Sequence, residues 1–356
     1  MNNRIEYLDI AKALGIIFVV IGHSGMVIGK FIYLFHMPLF FLISGYFYKD
    51  KYSYSFLDFL IKRIKSLYIP FLQFELVFLL LHNIFFSLNI YSGNPNTNAI
   101  QGLYSANDYL KNAFSILFFN GTELLLAPLW FLTVLFIVNI MFWLISKIAL
   151  TYGEGCKLIL TLLCFCFGNF FTKIKFGIIN SIVFVPEAIN VSMVAVFIFY
   201  LGYLYRQYEH KVDFNSKQLL LISVLILLLL REYGEMDMRR NFYPDPAFML
   251  TGTILGTYLT FYISKHISNR RIIYILSYVG KNTIPIMALH ILSFKLVTLI
   301  QIAFLGLPYY MLGNFPIIQK SWWGILYSVV GIGIPILLVY VKEKLFNSRE
   351  NLEPIL

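Results

Sequence analysis

The chain has 356 residues, of which 59% are apolar and 13% charged, with a mean hydropathy of +0.74. A soluble globular chain carries about 25% charged residues, so a soluble enzyme or soluble binding module is excluded. The formal charge of +10 would suggest nucleic acid as partner for a soluble chain. In a membrane protein, basic residues collect instead on cytoplasmic loops, and no nucleic acid is expected here.

Apolar stretches close to the length of a bilayer-spanning helix recur along the chain. They predict an all-α, polytopic membrane helical bundle of about ten transmembrane helices, near 9–29, 32–48, 66–91, 128–150, 157–172, 188–206, 217–231, 246–264, 283–304 and 322–342. The first stretch outruns a signal peptide, follows Glu6 and Asp9 and has no small-residue cleavage site, so it is expected to remain as a span. The longest polar segment, 92–127, is rich in Asn, Ser and Gly and reads as an outer loop containing some helix. Residues 176–187 read as a re-entrant or interfacial piece. No hydrophilic stretch is long enough for a separate soluble domain, so residues 1–356 are expected to form a single membrane domain.

With the N-terminus inside, the inner segments hold 17 basic residues and the outer ones 7. That asymmetry predicts both termini in the cytoplasm. No inverted repeat of the kind that marks many transporters is visible. Cys156, Cys164 and Cys166 form neither a disulfide framework nor a metal pattern, and no metal site is expected.

The chemistry-bearing residues begin in the first span. Lys12 and His23 are eleven residues apart, which is 20° past three full helical turns, so they share a stripe about 16 Å long. Ionisable groups cost ~2.5–3.5 kcal/mol each at a bilayer's centre, so such a pair reads as a functional site, with His23 placed in mid-span. The ordinary alternative is a lysine that snorkels to the headgroups and a histidine that bonds a neighbouring helix. Asp9, three residues before Lys12, is placed to pair with it.

Span two carries His36-Met37-Pro38-Leu39-Phe40-Phe41 and Ser44-Gly45. Pro38 is expected to kink or start the helix, Ser44-Gly45 to allow close helix approach, and His36 to sit near the outer interface. The basic run Lys62-Arg63-Ile64-Lys65 before Pro70 is either a plain topology signal or a phosphate clamp. Glu75 in span three, Trp130 after Pro128 and His290 in span nine are further candidates. Arg231, Glu232, Glu235, Asp237, Arg239 and Arg240 form an outer mixed-charge cluster, for which a solvated salt-bridge network is the ordinary reading. His82 reads as a loop or interface residue.

Taken in order, these segments resemble acyltransferase family 3, the membrane O-acyltransferases that modify bacterial surface glycans. The likeness runs through Lys12 and His23, the His36–Phe41 block with Ser44-Gly45, Arg63 before Pro70, and Pro128-Leu129-Trp130. It continues through Leu201-Gly202-Tyr203, then Val279-Gly280-Lys281-Asn282-Thr283 with His290. The His-Met-Pro-Leu-Phe-Phe form is similar to the fucose 4-O-acetylase-like branch, and Lys12 stands where many members carry arginine.

The resemblance implies an O-acetyltransferase of the bacterial inner membrane that moves acetyl from acetyl-CoA to a sugar hydroxyl of a surface polysaccharide or its lipid-linked precursor. His23 would be the catalytic base and Lys12 and Arg63 the donor-side residues, while His36, Glu75 and Trp130 are candidates for contacting the acceptor. Acetyl-CoA would be a co-substrate and no resident cofactor is implied; membrane lipids would surround the bundle. Some members carry an additional hydrolase-like domain; without one, the chain is expected to act alone. A flippase or transporter of lipid-linked glycans, with His23 and Glu75 as a proton relay, is the competing expectation.

Overall fold

The computed structural model describes residues 6–175, 187–318 and 322–350. Among them the regular structure is helical, apart from two isolated bridges, Ser92 with Ile100 and Asp237 with Phe242. Helix α1 (Glu6–His23) leads through a turn into α2 (Gly29–Tyr33) and α3 (His36–Tyr46). A long helix follows in three parts: α4 (Phe56–Arg63), one π-helical turn (Ile64–Tyr68) and α5 (Ile69–Ser87). Then come α6 (Ala106–Leu117), α7 (Trp130–Tyr152), α8 (Gly155–Lys175), α9 (Glu187–Tyr208), α10 (Lys217–Tyr233) and α11 (Pro246–His266). The short α12 (Arg270–Lys281) packs on α1, and α13 (Thr283–Leu305) and α14 (Trp323–Glu350) complete the bundle.

Seven of the described helical segments are long and apolar enough to cross a membrane: 56–87, 124–152, 155–172, 187–211, 246–266, 283–305 and 323–345. Three of the ten expected spans take other forms. Helix α1 carries Glu6, Asp9 and Lys12, α3 is only 11 residues long, and α10 has 17. The interfacial piece expected at 176–187 lies, but for Glu187, outside the described residues.

The distribution of polarity is that of a membrane bundle. Outward-facing Leu80, Ile159, Leu229 and Val329 are each at least 60% exposed, whereas Glu75, His290, Lys295, Thr298 and Gln301 are buried. Hydrocarbon cannot satisfy polar groups, so these turn inward and find partners there. Thr298 and Gln301 both meet the Tyr327 hydroxyl, at 2.9 and 2.6 Å, and so tie α13 to α14.

The expected span 32–48 is two helices rather than one. An uninterrupted helix would drive the Pro38 ring into the carbonyl of residue 34. The chain breaks instead at Leu34-Phe35 and restarts at His36, which puts Pro38 in the first turn, where its missing N–H costs no intrahelical bond. Downstream, the close approach expected of Ser44-Gly45 is realised at the glycine. Gly45 lies against the backbone of Phe199, and Gly202 of α9 against that of Leu42. A Cβ at either position would overlap a carbonyl oxygen, so this crossing requires two glycines.

The two ends of the bundle differ. At the Lys12 end, the hydroxyls of Tyr7 and Tyr46 donate to Glu209 (3.1 and 2.7 Å), joining the start of α1 to the ends of α3 and α9. Arg206 donates to the Tyr48 carbonyl (2.6 Å), and Lys157 pairs with Glu154 and Asp50. The opposite end carries the 92–127 segment, in which α6 is the anticipated helix. It opens on a capping box in which Ser105 and Asp108 bond reciprocally, and those bonds hold the Asp108 carboxyl below its ordinary pKa.

Candidate active site at the end of the first helix

Helix α1 stops at His23 because Gly25 takes a left-handed conformation (φ +77°), which ends the helical ladder. His23 therefore stands at the helix end, not at mid-span as the sequence suggested. Its imidazole lies parallel to that of His290 in α13, with ring planes 6° apart, and His23 Nδ1 is 2.9 Å from His290 Nε2.

The protonation pattern of this pair follows from one fixed acceptor. His290 is fully buried, and its Nδ1 lies 3.0 Å from the backbone carbonyl of Ile286. A carbonyl oxygen only accepts, so His290 Nδ1 carries the hydrogen and, in the neutral ring, Nε2 carries a lone pair. His23 Nδ1 must then donate to that lone pair. The remaining nitrogen, His23 Nε2, is the basic one.

His23 lines a cavity of about 350 Å³ together with Tyr33, His36, Trp130, Arg239 and Arg240, among others. His36 is buried rather than interfacial. Its Nδ1–H donates to the Ile32 carbonyl (3.0 Å), its ring meets that of Tyr33 (centroids 4.8 Å), and its Nε2 is thereby also left as an acceptor. Trp130 opens α7, beside Ala127 and Pro128 of the same wall. The structure thus brings His23, His36 and Trp130 into one chamber, without the Glu75 that the sequence reading grouped with them.

Two connecting segments complete the chamber. Residues 237–240 supply Asp237, Met238, Arg239 and Arg240, and residues 315–317 supply Phe315, Pro316 and Ile317. The second segment is held by Lys295, whose buried ammonium donates to the carbonyls of Leu312 (2.9 Å) and Asn314 (2.7 Å). Neither segment was among the sequence candidates for acceptor contact, because only folding places them over His23. The outer cluster is partly the expected salt-bridge network: Arg231–Glu232 at 3.4 Å, Arg240–Asp237 at 3.7 Å and Lys30–Glu235 at 2.6 Å.

Glu75 is not in this chamber. It is buried in α5, and its Oε2 accepts from the backbone N–H groups of Thr122 (3.1 Å) and Glu123 (3.3 Å), anchoring the chain just before the Pro128–Trp130 wall. His82, expected in a loop or at an interface, is buried one level further along. Its Nδ1 meets Glu123 Oε2 at 3.1 Å, and its Nε2–H donates to the Gly102 carbonyl at 2.9 Å. Tyr91 donates to the same Glu123 oxygen at 2.8 Å, and burial beside that carboxylate raises the phenol's pKa, keeping it a donor. Glu75 and this network together fasten the 92–127 segment to α5.

Lys12 and Arg63 lie toward the other end. Lys12 pairs with Asp9 at 2.8 Å, as its spacing suggested, and its ammonium sits 5.1 Å over the Phe47 ring. Arg63, the last residue of α4, stacks near Tyr52 and Phe59 (5.8 and 5.2 Å), and its buried Nε has no partner among the described residues. Because α1 is unbroken between them, Lys12 and His23 are separated by about 16 Å along its axis.

A family model described as an acyltransferase domain, that of acyltransferase family 3, matches residues 5–340 and so takes in both ends of the bundle and every candidate residue above. No curated protein and no solved structure matches the chain. With a family match over nearly its whole length, this multi-pass helical membrane protein belongs to acyltransferase family 3.

Proposed function

We propose that the chain transfers an acetyl group from acetyl-CoA to a sugar hydroxyl of a bacterial surface polysaccharide or its lipid-linked precursor. The reading is carried by the hydrogen-bond chain Ile286 carbonyl–His290–His23, which leaves His23 Nε2 as a base at the wall of the cavity. In the reaction, Nε2 takes the proton of the sugar hydroxyl as its oxygen attacks the thioester carbonyl. The tetrahedral adduct collapses, the C–S bond breaks, and the departing thiolate takes the proton back from Nε2. The products are an acetyl ester and CoA.

His290 does not line the cavity and acts through His23. It holds the His23 ring in one tautomer and gives Nδ1–H an acceptor while the imidazolium exists, as carboxylates do in other histidine-based sites. His36 Nε2 and the Trp130 ring would orient the sugar, the first by accepting a hydrogen bond from a hydroxyl and the second by apolar contact.

The donor would approach from the Lys12 end, where Lys12, Arg63, Arg206, Lys157 and Lys265 gather. CoA is strongly anionic, and guanidinium and ammonium groups suit its phosphates. Its extended arm would carry the thioester along α1 toward His23. On this reading the Lys12 end and both termini would face the cytoplasm and the bundle would lie in an inner membrane, in keeping with the basic residues of the inner segments.

The test is transfer by the purified full chain in detergent, without any membrane gradient. Acetyl-CoA and a panel of glycans that includes the host's lipid-linked repeat unit should yield free CoA and acetylated sugar. Proximity and base catalysis need no potential. No CoA release across the panel, with glycan movement in proteoliposomes, would support a transporter instead.

A further inference from the structure

The chamber around His23 is charged in a way that a neutral sugar does not require. Arg239 lines it, and among the described residues its guanidinium has no carboxylate partner. Asp237, the one acidic group in the same wall among the described residues, is already engaged: one oxygen accepts the Arg239 backbone N–H (3.0 Å) and the other faces Arg240 at 3.7 Å. The other titratable groups lining the cavity are His23, His36 and Tyr33, none of them an anion at neutral pH. Among the described residues, the wall therefore presents two arginines against one carboxylate.

A second, larger space adjoins it. A cleft of about 830 Å³ shares Gly22, Gly25, Tyr33 and Asp237 with the chamber and extends along Lys30, Arg231, Glu232 and Glu235. Lys30 is paired with Glu235, and Arg231 with Glu232, but among the described residues the buried Nε of Arg231 has no partner. This cleft is wide enough to hold sugar units beyond the one in the chamber. The unmatched positive charge of Arg239 thus lies in the wall of the chamber that also holds the base, and not in the cleft.

We infer that the acceptor is an anionic glycan, whose phosphate ester or carboxylate is held by Arg239, with Arg240 beside it, while a neighbouring hydroxyl faces His23 Nε2. A planar guanidinium binds either oxyanion in a bidentate manner, and its register would select which hydroxyl reaches the base. The inference deepens the proposed acetyl transfer and rests on it for the role of His23, but the binding it requires is measurable without any donor. The anionic group could be the phosphate that joins a sugar to its carrier or a carboxylate on the sugar itself.

The experiment is a saturation-transfer NMR titration of the full chain in detergent, without acetyl-CoA. The ligands are matched sets built on glucose and on galactose: the neutral sugar, its 1-phosphate and its uronic acid. At least one anionic sugar should bind tenfold or more tightly than its neutral parent. Preference for the 1-phosphate assigns a linking phosphate, and preference for the uronic acid assigns a carboxylate on the sugar. Arg239→Gln should abolish the preference, Arg239→Lys should keep part of it, and His23→Ala should leave it intact.

Equal binding of neutral and anionic sugars, or no binding of any, overturns the inference, as does a preference that survives Arg239→Gln. Displacement of the sugar by adenosine 3′,5′-bisphosphate through Arg239 overturns it too, because the arginine would then belong to the donor site. Anionic sugars that bind at Arg239 but are never acetylated would sink the transferase reading alone. Acetylation of neutral glycans with no anionic preference would sink only this inference.

Discussion

Asn98 and Phe315, 217 positions apart, exchange two hydrogen bonds of 2.7 Å: the Asn98 amide donates to the Phe315 carbonyl, and the Phe315 N–H donates back to Oδ1. A third bond, from the Asn98 N–H to Asn314 Oδ1 at 3.1 Å, completes a clamp between the 92–127 segment and the 315–317 wall of the chamber. One wall is thereby tied to a segment that itself reaches the cavity only at its last residue, Ala127.

Breaking that clamp should loosen the acceptor site without unfolding the bundle. Asn98 is exposed, so Asn98→Ala should change the melting temperature little and raise the KM for the glycan several-fold, with the KM for acetyl-CoA unchanged. Steady-state kinetics with each substrate varied in turn decides the point. Equal changes in both KM values would disconnect this clamp from the acceptor.

Lys295→Met attacks the same wall from beneath. The carbonyls of Leu312 and Asn314 would lose the ammonium donor, at about 1–3 kcal/mol for each buried group left unsatisfied. The expected result is a lower melting temperature together with weaker acceptor binding. A variant with unchanged stability and acceptor KM would show that the lysine does not hold this segment.

His23 and His290 should behave as a unit. His23→Ala should lower kcat by ~10²–10⁴, the usual range for loss of a general base. His290→Phe fills the space but offers His23 Nδ1 no acceptor, so kcat should fall while both KM values stay near wild type. The double variant should be scarcely slower than His23→Ala alone, since a positioning residue matters only while the base is present. Additive losses would show that His290 has a separate role.

At the opposite end, Arg63→Ala and Lys12→Ala should raise the apparent KM for acetyl-CoA at least several-fold, and Lys12→Arg should retain most activity. Lys12→Ala also removes one ion-pair partner of the buried Asp9 carboxylate, so its melting temperature should drop further than that of Arg63→Ala. Donor binding unchanged in both Ala variants would mean that CoA docks elsewhere.

The α3–α9 crossing gives a purely structural prediction. Gly45→Ala and Gly202→Ala each press a methyl against the partner's backbone carbonyl, and backbone cannot rotate away as a side chain can. Both should lower the yield of folded protein and its thermal stability. Ser44→Ala, which removes only a bond to its own helix, should be mild.

The sequence alone determined what depends on local pattern. Apolar stretches of bilayer length set the all-α membrane class, because a backbone in hydrocarbon must satisfy its own hydrogen bonds. Pair spacing put Lys12, Asp9 and His23 on one helix, and the ordered motifs from Lys12 to His290 indicated the family. Small residues also announced the Gly45 contact. None of these needs knowledge of what lies across the bundle.

Only the tertiary structure decided what faces His23. The partner nitrogen of His290 comes from 267 residues away, and Arg239, Phe315 and the Lys295 anchor come from segments with no sequence signal for that place. His82 read as a loop or interface residue because its partner Glu123 is 41 positions distant. Glu75 read as an acceptor contact because a buried carboxylate looks the same in sequence whether it meets a ligand or a backbone amide. Helix periodicity fixes which residues share a face, but the partner of that face depends on packing between distant segments, and a one-dimensional pattern does not encode it.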